Sequence, residues 1–350
     1  MSELALRLPL SGLHLVEASA GTGKTFALTA WILRLLLERG VALPELLAVT
    51  FTRAATAELR ERIRRRLRGA ERLLAGEAPR DDEERQTAGV LAQAVRTGDE
   101  ATVRTRLAAA LVQLDEAAVS TIHGFCQRAL REYGFIAGSI GDEDVIDAPR
   151  EAWDEVAADL WRGANLGPAE GARQLRALWN TPSDLAGNLP GLCDPARCLL
   201  PVANESDAAA WLHALRAQAR ERFEAALARR RQRSQDQLLE RMHVAMREPR
   251  FAAAVATRWP VALVDEFQDT DTRQWAIFSG LYQAGLARFK RDAGAMPLLG
   301  LVGDPKQAIY AFRGGDLDTY LAARNDVRAH GGEDSLDTNY RSRPAVLAAI

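Results

Sequence analysis

The sequence has 350 residues, of which 47% are hydrophobic and 26% charged, with a net charge of −2. This is the composition of a globular protein of about two domains whose overall field does not attract polyanions. The three cysteines include no Cys-x-x-Cys pair and no stretch approaches the roughly 18 apolar residues of a membrane span, so we expect no metal–cysteine site, a cytoplasmic location and no membrane association.

The first predicted unit is a strand, a glycine-rich loop and a helix. The strand is LHLVE (13–17), and the helix KTFALTAWILRLLLERG closes at Gly40, since glycine is typical just after a helix end. The loop nearly matches G-x-x-x-x-G-K-[ST], a pattern whose backbone N–H groups and lysine bind phosphate while its hydroxyl ligates Mg²⁺. We predict a phosphate site with Thr25 as a metal ligand, formed by Ala18, Ser19, Ala20, Gly21, Thr22, Gly23, Lys24 and Thr25.

A second strand and helix repeat this plan. ELLAVTF (45–51) is an apolar strand, and Thr52 is placed to accept a hydrogen bond at the start of a strongly charged helix. Residues 70–115 are predicted to be helical, and a third strand, AAVST (117–121), follows. Strands that alternate with helices predict an α/β fold with a parallel sheet.

Residues from about 130 to 250 differ in composition from the α/β segments on either side, and we predict that they form a helical insertion. They contain four tryptophans that we assign to helix packing, a Pro/Gly-bearing middle and one long charged helix over 207–248. Strands return afterwards, at 260–266, 296–304 and 335–339. The α/β pattern therefore resumes, and the insertion interrupts one domain.

Two of the later strands end in polar residues suited to phosphate chemistry. Asp265 ends an apolar strand and is predicted to bind the metal, while Glu266 beside it is predicted to orient the attacking water. LVGDPKQAIYAFRGGD (301–316) follows another strand, so Gln307 should reach the same edge of the sheet and contact the γ-phosphate. Tyr310, Phe312 and Arg313 come directly after and suit stacking on unpaired bases.

Six stretches resemble, in order, the motifs of the UvrD-like helicases of superfamily 1, most closely those of the RecB type. They are EASAGTGKTF, VTFTRAATAELRERI, STIHGFCQRAL, VDEFQDTD, GDPKQAIYAFRGGD and LDTNYRS. The resemblance implies a RecA-like P-loop NTPase sheet with an inserted all-helical subdomain. It also implies an ATP- and Mg²⁺-dependent motor that moves 3′ to 5′ on single-stranded DNA, starting from duplex ends. The implied process is double-strand-break repair and recombination, and the implied partners are RecC- and RecD-like subunits.

The resemblance also implies roles for individual residues. It assigns catalysis to Lys24, Asp265, Glu266, Gln307 and Arg341, and stacking on adenine to Tyr340, which together with Arg341 completes the nucleotide site. It assigns contacts with single-stranded DNA to Thr50, Phe51, Thr52, Thr121, His123, Tyr310, Phe312 and Arg313.

The resemblance divides the chain into domains. Residues 1–130 and 251–345 would form the RecA-like domain 1A, residues 131–250 the insertion 1B, and residues 346–350 the start of a second motor domain. A RecB-type exonuclease would lie outside this chain. The family's adenine-reading glutamine has no counterpart, because no glutamine precedes Gln86.

Other functions fit the residues less well. A DNA-binding or scaffold subunit that has kept the fold without turnover is the main alternative, and the intact Lys24, Asp265, Glu266 and Gln307 disfavour it. A kinase or GTPase gives no reason for the segment after Gln307, and the sequence has no Asn-Lys-x-Asp guanine motif. Of two basic runs, 62–68 is predicted to be a solvated face, whereas 228–237 suits either a solvated face or DNA contact.

Overall fold

The computed structural model describes residues 4–19, 21–138, 144–194, 207–292, 295–307 and 317–336. The chain forms two compact units, Met1–Ser139 with Leu239–Ile350, and Ile140–Leu238. The second unit lies within the first in sequence, as an insertion does. The identification of these units with subdomains 1A and 1B stays a prediction.

The elements of the described residues alternate between helix and strand in the first unit. The strands are β1 (Gly12–Ala18), β2 (Leu46–Thr50), β3 (Ala118–Thr121), β4 (Asp144–Ile146), β5 (Gln232–Ser234), β6 (Val261–Val264), β7 (Leu298–Gly303) and β8 (Gly332–Leu336). The helices are α1 (Leu4–Arg7), α2 (Lys24–Arg34), α3 (Arg53–Leu74), α4 (Asp82–Thr97), α5 (Glu100–Val112), α6 (Ile122–Tyr133), α7 (Arg150–Leu166), α8 (Ala169–Leu178), α9 (Pro182–Cys193), α10 (Asp207–Arg229), α11 (Gln235–Ala245), α12 (Pro249–Arg258), α13 (Thr272–Asp292) and α14 (Leu317–His330).

Six strands of the first unit form one parallel sheet in the order β3-β2-β6-β7-β1-β8. The residues of β2, β6 and β7 are all buried, because helices cover both faces of a parallel sheet and its inner strands are apolar throughout. The predicted α/β fold with a parallel sheet is confirmed. The carboxyl ends of these strands meet at one edge, where open α/β sheets bind ligands.

The helix that follows the glycine-rich loop packs tightly on the centre of this sheet. Trp31 of α2 is fully buried, and an added Cβ at Gly300 of β7 would lie 2.5 Å from its ring. A turn of π-helix continues α2 and ends at Gly40, whose φ of 75° is the left-handed conformation expected after a helix end.

One arginine of the run 62–68, predicted to be a solvated face, is instead buried. Arg66 is 2% exposed and donates to the carbonyl of Phe26 at 3.2 Å and to Gln86 at 3.0 Å. Burial lowers the pKa of its guanidinium to about 10. Arg66 therefore ties α3 and α4 to the first turn of α2.

The second unit is mainly helical but also contains a short parallel ladder between β4 and β5. The predicted helix over 207–248 is wrong as one element, because Arg231 takes a left-handed conformation (φ 53°) and its carbonyl accepts from the N–H of Asp144 at 3.0 Å. The four tryptophans predicted to pack between helices do contact the core of this unit: Trp153, Trp161, Trp179 and Trp211. In the basic run 228–237, Arg229 and Arg230 bind Glu155.

The predicted strand over 335–339 begins earlier in the structure, and its residues 337–339 lie outside the described residues. The edge strand β8 begins at Gly332 and pairs with β1, and its residues 332–335 are not fully buried. A polar edge strand lacks the apolar run that marks a buried strand in sequence. None of the described helices combines the length and the apolar character that crossing a bilayer requires.

Candidate nucleotide site and neighbouring strand ends

The predicted phosphate loop connects β1 to α2 in a conformation that only glycine adopts easily. Gly21 and Gly23 have φ values of 80° and 86°, so both lie in the left-handed region. Gly23 directly precedes α2, and the first N–H groups of the helix therefore open onto the loop. The hydroxyl of Thr22 donates to the carbonyl of Ser19 at 2.7 Å and closes the turn.

Lys24 connects this loop to the acidic pair at the end of β6. Its Nζ donates to Glu266 Oε2 at 2.6 Å, although the two residues are 242 positions apart in sequence. The lysine side chain is 12% exposed and the glutamate side chain 36% exposed, so the pair borders solvent. A phosphate that entered the loop would compete with Glu266 for the Lys24 amine.

Asp265 and Glu266 are placed by the backbone where β6 ends. The N–H of Asp265 donates to the carbonyl of Val49 in β2 at 2.8 Å, and Asp265 Oδ1 accepts from the N–H of Glu266 at 3.0 Å. Glu266 itself is left-handed, with φ 53° and ψ 44°. Non-glycine residues in this region are uncommon and concentrate at functional sites.

The carboxyl group of Asp265 suits a divalent cation. Burial, and next the charge of Glu266, raise the pKa of Asp265 to about 6. A cation at this carboxylate would offset both effects, and carboxylate and hydroxyl oxygens are the ligands that Mg²⁺ prefers. Thr25, in the first turn of α2, supplies such a hydroxyl.

The turn after β7 holds the predicted phosphate-contacting glutamine. Asp304 is 4% exposed, and its Oδ2 accepts from Gln307 Nε2 at 2.5 Å while its Oδ1 accepts from the N–H of Lys306 at 3.0 Å. Since β7 lies between β6 and β1 in the sheet, this turn emerges between the acidic pair and the phosphate loop. Gln307 is therefore brought to the same edge as Lys24 and Glu266.

Sequence analysis assigned no role to Gln268, which the structure places in the site. It is 3% exposed, its Nε2 donates to Glu266 Oε2 at 2.8 Å, and its Oε1 accepts from the N–H of Asp304 at 2.9 Å. Its position within VDEFQDTD was visible in the sequence, but its two partners lie at the ends of different strands. No local signal could have identified both.

The residues predicted to contact single-stranded DNA at β2 and β3 lie at adjacent strand ends. Thr50 pairs in register with Thr121. Thr50 is 2% exposed and its hydroxyl lies 2.6 Å from that of Thr56, whereas Phe51 is half-buried and Thr52 is exposed. Thr52 and Thr121 begin α3 and α6 by accepting backbone N–H groups at 3.0 and 3.2 Å.

His123 follows Thr121 in the first turn of α6 and is half-buried. Other predicted site residues lie outside the described residues, and their roles stay predictions: Ala20, Tyr310, Phe312, Arg313, Tyr340 and Arg341. Burial raises the pKa of the Cys126 thiol, which is fully buried and therefore poorly suited to react.

In this site the lysine of the phosphate loop contacts the glutamate at the end of β6, and the end of β7 lies between the two. This is the arrangement of a P-loop NTPase domain. The chain belongs to the UvrD/REP helicase family, whose N-terminal domain matches residues 2–328. Family membership implies the use of a nucleotide.

Individual relatives point to one branch of this family. The chain is 32% identical to the RecBCD enzyme subunit RecB of Escherichia coli (strain K12), over 99% of this chain and 38% of that protein. It is 35% identical to the RecB subunits of Mycobacterium tuberculosis (strain CDC 1551 / Oshkosh), over 99% of this chain and 30% of that protein, and of Mycolicibacterium smegmatis, over 95% and 28%. The chain spans about a third of the length of these relatives.

Proposed function

We propose that this chain is the ATP-binding and ATP-hydrolysing motor domain of a RecB-type DNA helicase in the cytoplasm. It moves 3′ to 5′ on single-stranded DNA, loads at duplex ends and acts in double-strand-break repair and recombination. Its membership of the UvrD/REP family supports the motor function, and its similarity to RecB subunits supports this branch. RecC- and RecD-like subunits are the proposed partners, since the relatives are named as subunits of a RecBCD enzyme.

The observation that carries the proposal is the contact of Lys24 with Glu266 at 2.6 Å. It joins the phosphate-binding lysine to the proposed base, with Asp265 next in the chain. A subunit that had lost turnover would have no reason to keep these three groups together at the ligand-binding edge of the sheet. The scaffold alternative is therefore disfavoured.

The residues divide the work of ATP hydrolysis among them. Thr25 and Asp265 would hold Mg²⁺, which would neutralise charge on the phosphates. Lys24 leaves Glu266 to bind the β- and γ-phosphates, and the released carboxylate of Glu266 orients the attacking water and accepts its proton. Gln307, whose amide is held by Asp304, contacts the γ-phosphate.

DNA is proposed to bind at the neighbouring strand ends. Phe51 stacks on a base, and the exposed Thr52 with Thr121 and His123 contacts the strand beside it. Thr50 is buried, so it supports this surface through Thr56. By resemblance, Tyr310, Phe312 and Arg313 are also proposed to contact the DNA strand.

ATP binding is tested by the substitution Lys24→Ala. ATP with Mg²⁺ should raise the melting temperature of the unsubstituted protein, because a ligand at 100 times its Kd stabilises the native state by about 2.7 kcal/mol. Lys24→Ala should lose this shift, as measured by thermal unfolding. Lys290→Ala, a lysine in the last turn of α13, is the matched control and should keep it. An undiminished shift in Lys24→Ala contradicts the assignment.

DNA stacking is tested by Phe51→Ala. A base–aromatic stack is worth about 1 to 3 kcal/mol, so affinity for oligo-dT and for a mixed-sequence strand should both fall roughly 5- to 150-fold. Phe135→Ala is the control. Its side chain is 70% exposed, and it lies beyond the carboxyl end of α6, a helix of 12 residues that begins at the strand ends. Equal affinities of Phe51→Ala and the unsubstituted protein in fluorescence anisotropy would rule out the stack.

A further inference from the structure

Gln268 joins the ends of two strands through one side-chain amide. It lies in a short helical turn, Phe267–Asp269, directly after the acidic pair. Its Nε2 donates to the carboxylate of Glu266 at 2.8 Å, and its Oε1 accepts from the backbone of Asp304 at 2.9 Å. The amide therefore connects the end of β6 to the end of β7.

The chemistry of the two partners determines which way this amide faces. A carboxylate only accepts hydrogen bonds and a backbone N–H only donates, so the NH₂ group must face Glu266 and the oxygen must face Asp304. Glutamate or methionine cannot satisfy both partners. The arrangement needs glutamine.

The surroundings of Gln268 leave its side chain little freedom. It is 3% exposed, and an added Cβ at Gly303 would lie 2.9 Å from its Oε1. The preceding Phe267 is 1% exposed and packs against Trp275 and Tyr320, with ring centroids 5.6 and 5.8 Å apart. The turn that carries the amide is therefore anchored in the core.

The carboxylate of Glu266 receives two hydrogen bonds from described residues, and both reach Oε2: one from Lys24 and one from Gln268. In the proposed mechanism Lys24 leaves to bind phosphate, which removes one of them. The bond from Gln268 does not involve a phosphate-binding group and can persist. It keeps Oε2 in place and leaves Oε1 to face the water.

We propose that Gln268 is a positioning residue for ATP hydrolysis, whose amide holds the Glu266 carboxylate against the end of β7 while Lys24 is bound to phosphate. This inference rests on the proposed function of the same site. Gln268 does not touch ATP. Its loss should change the rate of hydrolysis and leave ATP affinity in place.

The test compares three variants with the unsubstituted protein, each as the full-length polypeptide that contains these residues, in DNA-stimulated ATP turnover and equilibrium ATP binding. Gln268→Met removes both hydrogen bonds, and Gln268→Glu keeps the acceptor for Asp304 but presents a carboxylate to Glu266. Gly303→Ala keeps the Gln268 side chain but crowds its oxygen, 2.9 Å from the added Cβ, and its backbone nitrogen, 3.2 Å away. Each should lower kcat, by as much as about 100-fold for an angstrom of misplacement, with the Kd for ATP changed by less than about threefold. Gln268→Glu and Gly303→Ala keep the test decisive if Gln268→Met does not fold.

A buried residue of the same unit, away from the site, provides the structural control. Leu107 of α5 is 3% exposed, and this helix carries none of the predicted site residues. Leu107→Ala should lower the melting temperature without lowering kcat. A fall in kcat for Leu107→Ala equal to that for Gln268→Met would mean that lost stability explains both, and would overturn the proposal.

A double-substitution cycle asks whether Gln268 acts through Glu266. In a Glu266→Gln background the residual turnover should be unaffected by Gln268→Met, because the group that it positions is already gone. Equal fractional losses in both backgrounds overturn the proposal, as does an unchanged kcat in all three single variants.

If the unsubstituted protein does not hydrolyse ATP, or Glu266→Gln retains full turnover, the proposed function itself fails, and this inference fails with it. Loss of turnover in Glu266→Gln with normal turnover in the Gln268 variants refutes this inference alone.

Discussion

Glu266 occupies a left-handed backbone conformation that costs a non-glycine residue roughly 1 to 3 kcal/mol. The turn that it makes brings one carboxylate oxygen within 2.6 Å of Lys24 and 2.8 Å of Gln268. These contacts and the bond from its N–H to Asp265 Oδ1 hold the residue in this conformation. Strain at this position is therefore consistent with a group placed for chemistry.

The substitution Glu266→Gln separates binding from turnover. An amide does not compete with phosphate for Lys24 as a carboxylate does, so ATP affinity should stay the same or rise. Turnover should fall about 10²- to 10⁴-fold, the range that a general base contributes. Equilibrium ATP binding and steady-state hydrolysis measure the two effects. Glu71→Gln, an exposed residue of α3, is the control and should change neither; full turnover in Glu266→Gln would exclude this residue as the base.

At the scale of elements, the site depends on how closely α2 approaches β7. Because Gly300 of β7 has no side chain, the Trp31 ring can pack directly against the strand. An added Cβ would lie 2.5 Å from Trp31 and 2.6 Å from Leu263. The strand β7 leads directly to Asp304 and the helix α2 begins at Lys24. The packing of these two elements therefore sets the positions of the phosphate loop and the Gln307 turn.

Gly300→Ala should destabilise the first unit. The extra methyl group overpacks a buried strand, which typically costs about 1 to 3 kcal/mol. Gly89→Ala is the matched control: this glycine lies inside α4, where an added Cβ would meet only Leu6 at ordinary contact distance, 3.7 Å. The control should stabilise by about 0.5 to 1 kcal/mol through helix propensity. Denaturant unfolding measures both, and equal stability of the two variants would contradict the close approach.

At the scale of the whole molecule, each compact unit has its own apolar core. The core of the second unit includes Leu189 at 0% exposure and Phe223, whose ring stacks on Trp153 with centroids 3.8 Å apart. The residues of the candidate nucleotide site all belong to the first unit. Damage to the second core should therefore leave nucleotide binding in place.

Leu189→Ala tests this separation. The cavity should lower stability by about 2 to 5 kcal/mol, which calorimetry detects as a lower unfolding temperature. Leu166→Ala is the control in the same unit, because Leu166 is 89% exposed and its truncation leaves no cavity. Both variants should bind ATP at 25 °C with the affinity of the unsubstituted protein. A loss of ATP affinity confined to Leu189→Ala would mean that the units are energetically coupled.

The sequence by itself determined the features that depend on neighbouring residues. The strand, loop and helix around Lys24, the cap at Thr52 and the apolar strands β2, β6 and β7 follow from hydrophobic spacing, from glycine at left-handed positions and from polar side chains at helix starts. These signals extend over a few residues. They were therefore readable without the fold.

Only the tertiary structure decided the features that depend on distant partners. The contact of Lys24 with Glu266 and the bridge from Gln268 to Asp304 require the strand order that places β7 between β6 and β1. The polar strand β8 is stabilised by pairing with β1. The break at Arg231 in the helix predicted over 207–248 is stabilised by the pairing of β5 with β4. A hydrogen bond or a strand pair between residues far apart in sequence leaves no local pattern, because its energy arises only once the sheet has brought both partners together.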